Sequence, residues 1–143
     1  KSINVKVGGT WRAAKEVWVK SGGVWRKAWS SFSATISPSA LYASAVATNF
    51  RPATAQRAAT VTPVGGTAPF TYAYEISPET DALPFVAING QTMTLRLSSS
   101  STVEASGQIR GKVTDAQGEV GFTPWAYYSL SVEGTEGGGP IEV

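Results

Sequence analysis

The sequence predicts an all-β chain: a short repeat of tryptophan-bearing hairpins, or a small meander, followed by one β-sandwich. Three observations carry this expectation. Residues 5–14 recur in register at 19–28, an offset of 14 residues, which marks a repeated supersecondary unit. From Ser33 onward, short runs of alternating apolar and polar residues are closed by Pro, Gly-Gly or Asn-Gly, at the roughly 8–12-residue spacing of a sandwich. No helical 3.6-residue period is convincing. Only 15% of the 143 residues are charged, well below the usual quarter or so, and Ser, Thr, Ala, Val and Gly take their place.

The repeat reads Val5-Lys6-Val7-Gly8-Gly9-Thr10-Trp11-Arg12-Ala13-Ala14 and Val19-Lys20-Ser21-Gly22-Gly23-Val24-Trp25-Arg26-Lys27-Ala28. Each Gly-Gly supplies the positive φ angles of a tight hairpin turn, so Gly8, Gly9, Gly22 and Gly23 are the expected turn formers. Four strands follow: 3–7, 10–14, 17–20 and 24–30. Alternation sets Trp11 and Ala13 on one face with Arg12 on the other, and gathers Trp25, Lys27 and Trp29 on one face. A unit this small buries little by itself. Trp11, Trp18, Trp25 and Trp29, with Arg12 and Arg26, are therefore the candidate anchor residues, expected to pack on another domain, another subunit or a larger assembly.

The next segment, 31–134, contains runs at 33–37, 41–50, 57–64, 70–77, 85–88, 92–98, 103–114 and 119–132. Gly107 and Gly111 interrupt one run and are candidate bulges. Asp115-Ala116-Gln117-Gly118 reads as a turn in which the aspartate accepts backbone N–H bonds. Residues 135–143 have the composition of a flexible Gly-rich tail.

Val61-Thr62-Pro63-Val64-Gly65-Gly66-Thr67-Ala68-Pro69-Phe70-Thr71-Tyr72-Ala73-Tyr74 resembles the entry into the central strand of immunoglobulin-like and PKD-like domains. Gly111-Lys112-Val113-Thr114-Asp115-Ala116-Gln117-Gly118 is similar to a later strand-to-strand turn of the same families. Tyr74 stands where their core tryptophan is usual. The doubled V-K-x-G-G-x-W head resembles the N-terminal repeats of tailed-bacteriophage tail and tail-fibre proteins, which often carry immunoglobulin-like domains. The combination implies a virion structural protein of a tail, fibre or tail tip, with other virion proteins as partners in a symmetric homo-oligomer. A capsid decoration protein or an adhesion module for host-surface glycans is the alternative.

Composition narrows the chemistry. The chain has no His and no Cys, which removes Ser-His-Asp triads, thiolate nucleophiles, disulfides and most zinc or copper sites. No apolar run reaches the roughly 18–20 residues of a membrane span, and residues 1–6 lack the apolar region of a signal peptide. No enzyme activity, cofactor, metal or membrane insertion is expected. Glu75, Glu79 and Asp81 could be read as a glycosidase pair or, with Asp115, as calcium ligands; a solvated loop is the simpler reading. Gly8-Gly9 and Gly65-Gly66 lack the spacing of a phosphate loop.

Charge is unevenly placed. Residues 1–30 hold seven cations against one anion, and residues 31–143 hold five cations against nine anions. The basic, Trp-rich head could suggest stacking on nucleic acid. An amphipathic sheet with buried Trp and solvated cations, docked on an acidic protein neighbour, is preferred, and no nucleic acid is expected. Trp125 and Tyr127 should share a face, with Tyr128 opposite.

Overall fold

The computed structural model describes residues 3–30 and 32–135. Thirteen strands account for the ordered backbone of these residues: β1 (Asn4–Val7), β2 (Thr10–Ala13), β3 (Glu16–Ser21), β4 (Val24–Ser30), β5 (Ser33–Ser37), β6 (Ala40–Thr48), β7 (Ala53–Val64), β8 (Thr71–Pro78), β9 (Phe85–Asn89), β10 (Thr92–Ser99), β11 (Val103–Thr114), β12 (Val120–Phe122) and β13 (Ala126–Thr135). The strands of the head form two separate two-stranded sheets, β1–β2 and β3–β4. Ala14 and Lys15 join them, and they do not merge into one meander.

The remaining strands make a sandwich. One sheet runs β5–β7–β10–β9, and the other has β11 at its centre, with β8 on one side and β13 then β6 on the other. This assortment of strands between two sheets is that of an immunoglobulin-like sandwich. The β6–β13 pair is parallel, from Ala40 opposite Tyr127 to Thr48 opposite Thr135. Thr135 thus belongs to β13, one residue past the expected end of the sandwich, and its Oγ1 donates to the Ala47 carbonyl at 3.0 Å. The expected tail beyond it, 136–143, lies outside the described residues.

The expected single run over 119–132 is two strands. Both lie along the same edge of β11, β12 opposite Lys112–Thr114 and β13 opposite Val103–Ile109. Pro124 breaks the run, since it has no N–H to give to a ladder. Buried Thr123 fills the gap: its N–H donates to the Gly111 carbonyl at 3.0 Å, and its Oγ1 accepts from the Gly111 N–H at 2.9 Å.

Alternation along the strands builds the core. Leu41, Met93, Leu95, Ile109, Tyr128 and Leu130 meet between the sheets, each essentially inaccessible. Burying one such side chain stabilises by about 1.5–3 kcal/mol. A second cluster of Ala34, Val61 and Val113 closes the end nearest the head, with Phe32 stacked on Phe70 at 6.1 Å between ring centroids. Tyr74 is not the expected core residue of its strand. It shares a face with Tyr72 and Ile76, which pack against the core, but opposite Gly111 it is left 39% exposed.

Gly107 and Gly111 are close-approach sites and not bulges, because the β8–β11 ladder passes both in unbroken register. At Gly107, with φ +153°, a Cβ would run into the Ser77 carbonyl oxygen and lie 2.8 Å from Pro78 Cα and 2.9 Å from the Tyr128 hydroxyl. That hydroxyl is buried, with no hydrogen-bond partner among the described residues. Burial, then the nearby charge of Glu79, pushes its pKa up. Two outcomes follow for denaturant unfolding. Gly107→Ala should destabilise by about 2–4 kcal/mol through clash and backbone strain. Tyr128→Phe should be neutral or stabilising by up to about 2 kcal/mol, because it deletes an unpaired polar atom and keeps the ring.

Candidate interaction surface

Each head hairpin is closed by two glycines at positive φ, +57° and +82° at Gly8 and Gly9, +60° and +82° at Gly22 and Gly23. Two successive left-handed residues define the type I′ turn, whose twist matches that of the flanking strands. The turn fixes the register. Lys6 stands directly opposite Trp11, and Lys20 directly opposite Trp25. Directly opposed residues share a face, so each repeat presents a lysine beside an indole. Arg12 faces Val5 and Arg26 faces Val19 on the reverse sides.

The second hairpin extends the pattern. Trp18 stands opposite Lys27, so Trp18, Lys20, Trp25 and Lys27 form one continuous face. Lys27 Nζ lies 5.1 Å from the Trp18 ring centroid and Lys20 Nζ 6.0 Å from that of Trp25, within reach of a cation–π attraction. A register shift follows between Val17 and Trp18, and the backbone of Trp29 pairs with Val17. The expected sharing of a face by Trp25, Lys27 and Trp29 falls partly outside the described side chains, because that of Trp29 is not among them.

The indoles are open. Trp11 is 68% exposed, Trp25 62% and Trp18 48%. None of the described sheets covers these rings, so the expected burial of the tryptophans is not supplied within the single chain; Arg12 lies on the face opposite Trp11, as expected, while Lys6 and Lys20 share the face of the rings. A two-stranded ribbon has only surfaces, so the face stays in solvent until something else covers it.

An ion pair links the second hairpin to the sandwich. Lys27 Nζ lies 2.9 Å from Glu16 Oε1 and 3.1 Å from Glu119 Oε1, and its side chain is only 14% exposed. The Trp18 indole N–H donates to Glu16 Oε2 at 2.9 Å. Lys27 and then Trp18 hold the Glu16 carboxyl below its ordinary pKa, and Glu16 in turn raises that of Lys27. An open cleft of about 730 Å³ lies beside this junction, lined by Lys15, Glu16, Phe32, Val64, Gly66 and Glu119. A general acid needs a raised carboxyl pKa, the reverse of what Glu16 has. Nothing in the sequence brings Lys27, Glu16 and Glu119 together, since no local signal links residues so far apart in the chain.

The other carboxylates are occupied or scattered. Glu75 Oε2 accepts from Arg110 Nε at 2.8 Å, and the guanidinium lies 4.1 Å from the Phe122 ring centroid and 4.6 Å from that of Trp125. Asp115 does cap its own turn, accepting from the N–H groups of Gln117, Glu119 and Thr67 at 2.9, 2.9 and 3.1 Å. Burial alone would raise its pKa, but these three donors together with Lys27 outweigh it and hold the carboxyl low. Among the described residues no three acidic side chains gather as a metal site, and no helix is long and apolar enough to cross a membrane. Trp125 and Tyr128 separate as expected, the first half-exposed and the second in the core.

No protein-family model matches the chain, and no curated protein matches it. Among solved structures the chain is similar to the M1 domain from titin, with a TM-score of 0.33 and 12% sequence identity over 75% of this chain and 99% of that one.

The lowered carboxyls of Glu16 and Asp115 set a direction with pH. Their contribution is present above the ordinary carboxylate pKa and is lost as pH falls through the lowered folded values. Tm should therefore drop on acidification below about pH 4. Asp115→Asn should lower Tm at neutral pH and flatten that acid dependence. A wild-type Tm that is constant down to about pH 2, or an unchanged acid limb in the variant, would contradict this reading.

Proposed function

We propose that the chain is a non-enzymatic structural protein of a tailed-bacteriophage particle, a component of the tail, its fibres or its tip. The hairpin head anchors to the particle and the immunoglobulin-like sandwich projects from it. The observation that carries this reading is the exposure of Trp11, Trp18 and Trp25 on ribbons that have no interior of their own. Large apolar rings left open beside lysines suit a protein–protein contact, where tryptophan is enriched and cations are paired at the rim. The doubled V-K-x-G-G-x-W motif followed by an immunoglobulin-like domain supports the placement in a virion, with other virion proteins as neighbours.

A second reading, an adhesion module for host-surface glycans, is favoured by a different surface. On the outer face of β6 and β13, Tyr42 and Tyr127 pair at 6.1 Å beside Ser44, Ser129 and Ser131. Aromatic faces flanked by hydroxyls suit sugar rings.

The test of the first reading is incorporation. Trp11→Ala combined with Trp25→Ala should abolish recovery of the chain in purified particles. The isolated variant should unfold within about 0.5 kcal/mol of the parent, as expected of exposed positions. Normal incorporation would overturn the anchor role. The glycan reading predicts saturable quenching of tyrosine and tryptophan fluorescence by host-surface glycans, removed by Tyr42→Ala; a flat titration would count against it.

A further inference from the structure

The two ends of the molecule differ in chemistry. At one end are the head, the Gly65-Gly66 turn and the β11–β12 turn with Glu119. The strands fix what lies at the other. The β6–β7 turn, the β10–β11 turn and the end of β13 converge there: the Gly134 N–H donates to Thr102 Oγ1 at 3.0 Å, and Phe50, Ser101 and Thr135 line one small hollow. The loop after β8 joins them, with the Glu79 N–H donating to the Ser106 carbonyl at 2.8 Å. Since β11 alone has 12 residues, the two ends are separated by about 40 Å at roughly 3.3 Å per residue.

The far end is acidic and apolar. Glu79, Asp81, Glu104 and Glu133 lie on its loops and strand ends, against the cations Arg51 and Arg96, the latter opposite Phe85 where the loop carrying Glu79 and Asp81 enters β9. Phe50 is 76% exposed, and Val46, opposite Glu133, is exposed as well. Residues 3–30 carry the complement: six cations against one anion, with indoles in place of the phenyl ring.

We infer that the Lys–Trp face of one copy's head docks on the acidic far end of a second copy. The inference rests on the proposal that the head is an assembly surface, and it names the partner. The two patches occupy opposite ends and differ from one another, so the contact is heterologous: it propagates head to tail into a ring or a filament. The separation between the patches keeps a head from reaching the far end of its own chain. Opposite charges steer the encounter and set its register, and the indoles and Phe50 supply the desolvated centre.

The experiment is complementation by analytical ultracentrifugation of the full chain. The wild type should self-associate with rising concentration, and less so when salt is raised from about 0.05 M to about 0.5 M, where screening shortens to a few ångströms. Trp11→Ala with Trp25→Ala spoils only the head; Glu104→Lys with Glu133→Lys spoils only the far end. Each variant alone should associate at least about tenfold more weakly than wild type. Their equimolar mixture should form a capped heterodimer, because the second variant keeps its head and the first keeps its far end. Circular dichroism and Tm establish that both variants are folded. A monomeric wild type at all concentrations overturns the inference, as does association that Glu104→Lys with Glu133→Lys leaves intact, the mark of head-to-head pairing. A monomeric wild type combined with failure of the tryptophan variant to enter particles sinks this inference while leaving the anchor role standing. Normal entry of that variant sinks the anchor role itself.

Discussion

Lys27 is the residue through which head and sandwich meet. Its ammonium is held between the carboxylates of Glu16 and Glu119 and lies over the ring of Trp18. Three consequences follow from this one cation. The second hairpin is seated at the end of the sandwich where Phe32 stacks on Phe70. Trp18 is pinned from two sides, by the cation above its ring and by Glu16 at its indole nitrogen. The neighbouring Trp25 and Lys20, on the same face, are left pointing away from any cover. An exposed ion pair contributes little, but this cation is mostly withdrawn from water and has two carboxylates to satisfy it, which makes it a positioning device more than a source of stability.

The openness of the head is a matter of dimension. A sandwich turns one side of every strand inward, and here it closes over Leu41, Met93, Leu95, Ile109 and Tyr128. A lone type I′ hairpin has no inward side. Its tight turn forces a defined cross-strand partner on every residue, and in both repeats that partner sets lysine against tryptophan. The repeat of 14 residues thus becomes a repeat of the same two-residue surface. Such a surface is stable enough to be displayed, because the glycines remove the strain of the turn, yet it stays unsatisfied until a second body covers it. That property connects the local backbone chemistry to the proposed role in assembly.

Much of this was legible in the residues. The Gly-Gly dipeptides announced both hairpins, and alternation announced β5 and β11 to the residue. The failures have local physical causes. Glu119–Val132 reads as one alternating run, and only the missing N–H of Pro124, repaired by Thr123, divides it. Gly107 and Gly111 looked like bulges because a glycine in a strand signals either a bulge or a close approach; which one holds depends on Ser77, Val61 and Tyr128, far away in the chain. Tyr74 took the position of a core aromatic by resemblance, but its strand lies at the edge of its sheet, and on the face it shares with Tyr72 it is Tyr72 that is covered. The Lys27 junction left no trace in any sequence window, since it is made by packing alone.

The claim on which everything functional depends is that the indoles of the head are uncovered in the single chain and covered in the assembly. Hydroxyl-radical footprinting with mass-spectrometric readout at Trp11 and Trp25 measures this residue by residue, first on the dilute chain and then on the native assembly that contains it. Both residues should oxidise rapidly in the dilute chain and be strongly protected in the assembly, with buried Tyr128 protected in both states. Protection of Trp11 and Trp25 in the dilute chain, or equal oxidation in the two states, would contradict it.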